Sequence, residues 1–291
     1  MASILSSNGP IEWHSFHNDF DPQVLEKDAS KQNIKTAPFL QFDELPNFML
    51  VAIPAAFLHE YIHSIVSFCS KHKIPIVSVA KGILKDYQKP FIQCLEEDFD
   101  FPDSLTSVLV GPSHAEEVKQ NKPTQVAIAS NNKFLFEPFR KKIQQTNFTV
   151  QWQNNTRSLE WASALKNAYA IGSGLLDAWY ISDNLKALFV SKCYLELESF
   201  LKKFNDTGDH HILGDLLVTT YSKHSRNYRL GYTLASNKKH NIHLDGLQMT
   251  PEGYFVLSNV PELPELPIFQ AIKRIVLMGE DAKGLHAILM Q

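Results

Sequence analysis

A lysine followed by an asparagine, Lys166-Asn167, sits inside the slim apolar stretch EWASALKNAYAIGSGLLD, Glu160 to Asp177. Ala162, Leu165, Tyr169 and Gly172 recur at helical spacing, which predicts a helix. Ala164, Ala168, Ala170, Gly172 and Gly174 keep that helix thin enough for close approach by another backbone or a flat ligand. An ammonium group in such surroundings either snorkels to water or meets an acid, a phosphate or a reacting carbonyl. From this segment alone, a helix lysine reaching solvent is the ordinary reading.

A second stretch, LGDLLVTTYSKHSRNYRLG from Leu213 to Gly231, changes the balance. Asp215 and Thr219 are four apart and share a face if the segment is helical. Ser225, Arg226 and Asn227 then cluster a hydroxyl, a guanidinium and an amide, a set suited to phosphate. One reading makes Asp215 the orienter of a proton-donating Lys166, with Arg226 as anion clamp. The other is a solvated helix end with scattered polar groups. Both fit these residues. His59-Glu60-Tyr61-Ile62-His63 matches HExxH, the helix motif of zinc peptidases. Cys69 and Val66 stand where a third ligand and a turn glycine would be needed, so no metal site is expected. Asp209-His210-His211 reads as a polar loop before the Leu213 segment, without a role.

The elements that must position these groups change character along the chain. Strand-like runs occur at Ile11–Phe16, Phe48–Ile53, Ile76–Ala80, Ser107–Val110, Thr124–Ala129 and Phe148–Trp152. Continuous runs such as FMLVAI belong to strands buried on both faces, the mark of a parallel sheet. Helical segments lie between them, at Phe57–His72 and at a helix starting near Asp21 and Pro22, so an open α/β sheet is expected. After Ser158 helical periodicity takes over, which places a boundary near Asn154–Arg157. The expected division is 1–155 and 156–291. Asn237–His240 reads as a loop, Pro261–Pro267 as a stiff connector and Ile268–Gly279 as a final amphipathic helix. In an open α/β sheet ligands sit beyond the carboxyl ends of the strands. Three such ends carry chemistry: Pro54-Ala55, Lys81-Gly82 and Gly111-Pro112-Ser113.

Composition narrows the class. At 291 residues, 44% hydrophobic and 20% charged, the chain has the make-up of a globular protein with one large core or two ordinary ones. A net charge of -3 supplies no basic field for nucleic acid or anionic lipid. Three widely spaced cysteines, Cys69, Cys94 and Cys193, give no disulfide framework and suit a reducing compartment. The most apolar run, Phe48 to Leu58, is broken by Pro54 and too short to span a bilayer, and the start resembles no signal peptide. A cytoplasmic enzyme is the expectation.

Taken jointly, VAIPAAFLHEYI (51–62), VSVAKGIL (77–84), VGPSHAEEV (110–118), ALKNAYAIGSG (164–174), GDLLVTT (214–220), SRNYRLG (225–231) and EGY (252–254) are similar to one family. The chain resembles the bacterial type of NAD(P)-dependent glycerol-3-phosphate dehydrogenase, in order and spacing over nearly its whole length. The resemblance implies a Rossmann-like domain followed by an all-helical substrate domain, with the active site in the cleft between them. By position, Lys166 looks like the family's catalytic lysine, with Asn167, Asp215 and Thr219 as its active-site partners. Lys81, Gly111, Ser113, Ser225, Arg226 and Asn227 look like substrate contacts. His17, Lys81, Ala115, Arg226, Thr250 and Glu252 fall at cofactor-like positions. The implied reaction is hydride transfer between NAD(H) or NADP(H) and C2 of dihydroxyacetone phosphate, giving sn-glycerol 3-phosphate for glycerophospholipid synthesis, with a homodimer as the implied assembly. One departure stands out. The family opens with a strand and a GxGxxG loop, and this sequence has neither; roughly twenty residues of a Rossmann unit are missing before Met1. A gap in the sheet is therefore expected, through a misplaced start, a truncation or natural loss. The alternative reading is an impaired relic that binds phosphate ligands or partners but not the dinucleotide.

Overall fold

The computed structural model describes residues 11–15, 34–38, 40, 42, 44–145, 147–180, 182–206, 208–236 and 251–291, the first two segments as backbone. Strands β1 (Ile11–Ser15) and β2 (Ile34–Pro38) pair in parallel as a sheet of their own. Five further strands follow in spatial order: β3 (Met49–Val51), β4 (Ile76–Ser78), β5 (Thr106–Val110), β6 (Thr124–Ala129) and β7 (Phe148–Gln153). Among the described residues no ladder joins the two sheets. The larger sheet is mixed, not purely parallel as the apolar runs suggested. Val108, Leu109 and Val110 pair antiparallel with Ala129, Ile128 and Ala127. A buried strand needs apolar residues on both faces whichever way it runs, so its composition carries no direction. The helix expected from Asp21 and Pro22 and the loop at 237–240 lie outside the described residues.

Burial on both faces is visible strand by strand. Val108 and Val110 of β5 enter one apolar cluster, and Leu109 enters another on the opposite side, as the two-residue pleat requires. Helix α1 (Ala55–His72) covers the first face with Leu58, Ile62, Ile65 and Cys69. Phe91–Asp98 (α2) and the short Ala115–Lys119 (α3) follow β4 and β5. Helix α4 (Lys133–Ile143) seals the second face with Phe136, Phe139 and Ile143. The HExxH histidines lie on α1, where His63 packs edge-on against Phe99. Neither belongs to the group of metal-capable side chains found among the described residues, Asp209, His210 and His211. Asp209 itself caps a helix through the backbone N–H groups of His211 and Ile212.

The rest is helical: α5 (Thr156–Tyr180), α6 (Asp183–Leu201), α7 (His210–Tyr221), α8 (Arg226–Ser236), α9 (Glu252–Asn259), α10 (Pro267–Met278) and α11 (Lys283–Met290). The helix expected to be final ends at Met278, with Gly279 as left-handed cap, and α11 follows it. Helix α5 is buried on every side from Ser158 to Leu176. It packs against α8, α7, α9, α6, α10 and β5, so it is the axis on which the helices and the sheet meet. Two buried acids tie other helix starts to this axis. Glu160 accepts from the N–H groups of Ile92 and Gln93 at the head of α2. Glu196, on α6, accepts from Ile268 and Phe269 at the head of α10 and from the Tyr169 hydroxyl. Both satisfy N–H groups that a helix leaves unpaired. Burial pushes the Glu160 carboxyl up to about 8 against the pull of those two N–H groups.

The slim composition of α5 has a specific use. A Cβ built on Gly174 would lie 2.0 Å from the Tyr228 carbonyl oxygen of α8, and one on Gly231 would lie 1.9 Å from the Ile171 carbonyl oxygen of α5. Helices α5 and α8 therefore touch backbone to backbone, with a glycine on each side. Gly231→Ala should cost about 1–3 kcal/mol by forcing them apart. Gly284→Ala, where nothing lies within 4 Å of the added carbon, should be neutral or gain up to about 1 kcal/mol. Chemical denaturation of the two variants measures the difference.

Candidate active site

The axis helix carries Lys166 with only 3% of its surface exposed. Its ammonium sits against Oδ1 of Asp215, which is 2% exposed on α7. Lys81, just past the end of β4, reaches the same oxygen at 3.8 Å. One acid thus holds two cations, from the sheet and from the axis helix. Lys166 and Asp215 form a buried ion pair. Desolvation drives the Lys166 ammonium down from the ordinary lysine range to about 7; the Asp215 charge opposes this and the Lys81 charge adds to it. A lysine tuned to neutrality can give a proton and take it back.

Thr219 lies one turn after Asp215, as the four-residue spacing requires, and donates its hydroxyl to the Asp215 carbonyl at 2.6 Å. The Gly111–Ser113 turn at the end of β5 abuts α7 beside Asp215, since a Cβ on Gly214 would fall 3.4 Å from Pro112. At Gly111 a Cβ would meet Val126 Cα at 2.9 Å, so pairing with β6 already demands a glycine there without any ligand. The Ser113 hydroxyl donates to the Gly111 carbonyl at 3.0 Å. His114, for which the sequence suggested nothing, brings Nε2 within 3.4 Å of the Val218 carbonyl and links this turn to α7.

Next to Lys166, Asn167 donates to the Ser163 carbonyl at 3.0 Å and accepts from Asn227 Nδ2 at 3.0 Å. Asn227 in turn accepts the Gly253 N–H at 2.8 Å. Both ends of its buried amide therefore bond within the protein. Ser225 is similarly engaged: its oxygen accepts the Tyr228 N–H and caps α8. Arg226, with 44% of its side chain exposed, forms an ion pair with Glu252 at the head of α9. The Lys81-Gly82 turn reaches the same helix, for a Cβ on Gly82 would lie 4.0 Å from Val256. Ala115 opens α3 and is exposed. His17 and Thr250 lie outside the described residues. The structure therefore gathers Lys166, Asp215, Lys81, Thr219, Asn167, Asn227, Arg226 and Glu252 onto connected elements.

An α/β sheet whose strand ends face a helical unit, with a tuned lysine buried where the two meet, is the build of a nucleotide-dependent dehydrogenase. Residues 31–135 match the model of the NAD-dependent glycerol-3-phosphate dehydrogenase N-terminus, and residues 155–286 that of its C-terminus. A relative from Limosilactobacillus reuteri is 30% identical over 255 residues, covering 83% of this chain and 75% of its own. One from Staphylococcus saprophyticus is 28% identical over 311 residues, covering 98% and 93%. Both are named glycerol-3-phosphate dehydrogenase (NAD(P)+). The crystal structure of glycerol-3-phosphate dehydrogenase from Coxiella burnetii shares the fold, with a TM-score of 0.85 at 21% identity over 100% of this chain and 94% of that one. The chain belongs to the NAD-dependent glycerol-3-phosphate dehydrogenase family.

Removing one partner of a buried ion pair strands the other. Lys166→Ala should therefore lower the melting temperature as well as turnover. Adding Asp215→Asn should recover the melting temperature and leave turnover about 10²–10⁴-fold down. Thermal unfolding and steady-state rates of the single and double variants test this; recovery of turnover in the double variant would remove Lys166 as proton donor.

Proposed function

We propose that the chain interconverts dihydroxyacetone phosphate and sn-glycerol 3-phosphate with NADH or NADPH, feeding glycerophospholipid synthesis. The observation that carries this reading is the buried Lys166–Asp215 pair, tuned by Lys81, next to a turn at a sheet-strand end. In the reducing direction the Lys166 ammonium gives its proton to the C2 oxygen while C2 accepts a hydride, so the ketone becomes a secondary alcohol. In reverse, the neutral amine takes the hydroxyl proton. Asp215 keeps the ammonium aimed and compensates its charge. Thr219, fixed to the Asp215 carbonyl, and Asn167, fixed to Ser163 and Asn227, hold their side chains in single orientations around the lysine. Arg226 and Lys81, both partly exposed cations, suit the phosphoester.

The nicotinamide, when bound, supplies or removes the hydride. The donor set fits an anionic dinucleotide in part: Arg226 and Lys81 present positive charge on elements that flank the sheet's strand ends, as a nucleotide phosphate requires. Arg226, Glu252, Lys81 and Ala115 are the described residues assigned to hold it. The units 1–155 and 156–291 act as cofactor and substrate halves. The survival of the acid, both lysines and the guanidinium together favours a working dehydrogenase over a phosphate-binding relic. No described helix is long and apolar enough to cross a membrane. A second copy of the chain is the proposed partner.

A lysine held near 7 loses its proton as pH rises through that value. Ketone reduction needs the ammonium, so its kcat should fall above about pH 7, and alcohol oxidation should rise over the same window. Paired pH profiles check this, and a reduction rate that stays flat to pH 9 would remove Lys166 from the step. Arg226→Ala should raise the KM for dihydroxyacetone phosphate on the order of 10–100-fold. An unchanged KM in initial-rate assays would count against the phosphate assignment.

A further inference from the structure

We propose that Gly253 is a positioning residue for the phosphate end of this site, acting by the absence of its side chain. The inference rests on the reading of Arg226 as the phosphate clamp. Helix α9 begins at Glu252, so the Gly253 N–H is one of the first-turn donors that the helix itself leaves unpaired. It donates to Asn227 Oδ1 at 2.8 Å. Asn227 passes the tie on to Asn167 Oδ1 at 3.0 Å. Three sequence-adjacent pairs thus meet on three helices: Lys166-Asn167 on α5, Arg226-Asn227 on α8 and Glu252-Gly253 on α9. The second members interlock in the interior. The first members are the charged groups: Lys166 against Asp215, and Arg226 against Glu252.

This junction closes only around a glycine. A Cβ at 253 would lie 2.3 Å from the Asn167 carbonyl oxygen, 2.6 Å from its carbon and 2.9 Å from Asn227 Oδ1. Two of those atoms are backbone of the axis helix, which is packed on every side and has nowhere to go. Helix α9 must therefore lift away, and with it go the Gly253 hydrogen bond and the Glu252 carboxylate that holds Arg226. Lys166 and Asp215, fixed on α5 and α7, stay in place. A shift of about 1 Å in an element that positions substrate costs up to about 10²-fold.

Gly253→Ala should accordingly raise the KM for dihydroxyacetone phosphate by about 10-fold or more, with kcat and its pH midpoint little changed. Affinity for inorganic phosphate, measured by calorimetry, should weaken in parallel. Asn227→Ala removes the acceptor without adding an atom and should raise KM and weaken phosphate binding likewise, with a further loss of kcat because it also frees Asn167. It also serves as the second variant should Gly253→Ala fail to fold. The double variant should be no worse in KM than the more affected single one. Phe136→Leu, in the core on the sheet's other face, should lower the melting temperature without raising KM. Unchanged KM and phosphate affinity in Gly253→Ala, or a KM loss shared by Phe136→Leu, would overturn the role while leaving the proposed reaction intact. No turnover by the wild-type chain, with phosphate binding still weakened by Gly253→Ala, would sink the reaction and keep the role. Absence of phosphate binding by the wild-type chain would sink both.

Discussion

A positive charge shut away from water on the axis helix is the constraint to which the rest of this structure answers. Lys166 can be charged at 3% exposure only because Asp215 is delivered to it from another helix. Desolvation still prevails over that attraction, which is why the ammonium stands near neutrality and not in the usual lysine range. Lys81 makes the balance depend on the sheet as well, since its charge reaches the same carboxylate from the end of β4. Burial, acid and second cation come from three separate parts of the fold. Proton transfer is available only where they coincide.

Holding them together falls to close backbone packing. Gly174 and Gly231 let α8 lie directly on α5, which brings Asn227 onto Asn167. Buried carboxyl groups do the equivalent work at helix heads: Glu160 seats α2 and Glu196 seats α10, each accepting two N–H groups that would otherwise be unpaired. These contacts are directional or sterically tight, unlike apolar packing, which tolerates slip. They set the register between helices, and through it the register between Lys166 and Arg226.

Strand and helix positions were largely legible. Thr124–Ala129 has the expected ends, Phe148–Trp152 extends by one residue to Gln153, and the Lys166 helix was placed from its spacing. Family motifs pointed to the lysine, the aspartate and the arginine, and the structure sets lysine and aspartate in contact. Other features could not be read. The antiparallel step between β5 and β6 leaves no mark on strands that are apolar on both faces. Asn227 and Ser225 were expected at the phosphate because an amide and a hydroxyl beside an arginine suit it, but the bonds each makes within the protein gave no sign. Their partners, Asn167, Gly253 and Tyr228, include residues far off in sequence. HExxH had the right spacing and no ligand beyond it, a pattern too short to distinguish a metal site from an ordinary α1 surface.

The sequence by itself determined which residue types were available and how each was spaced along its own element, because helical and strand periods depend on local backbone geometry. It placed Asp215 and Thr219 one turn apart and made α5 slim. Only the tertiary structure decided that Lys166 is buried against Asp215, that Asn227 bonds to Asn167 and Gly253, and that Gly111 is required by β6. Those outcomes turn on distances between segments remote in the chain, and desolvation and steric contact act only once such segments have met.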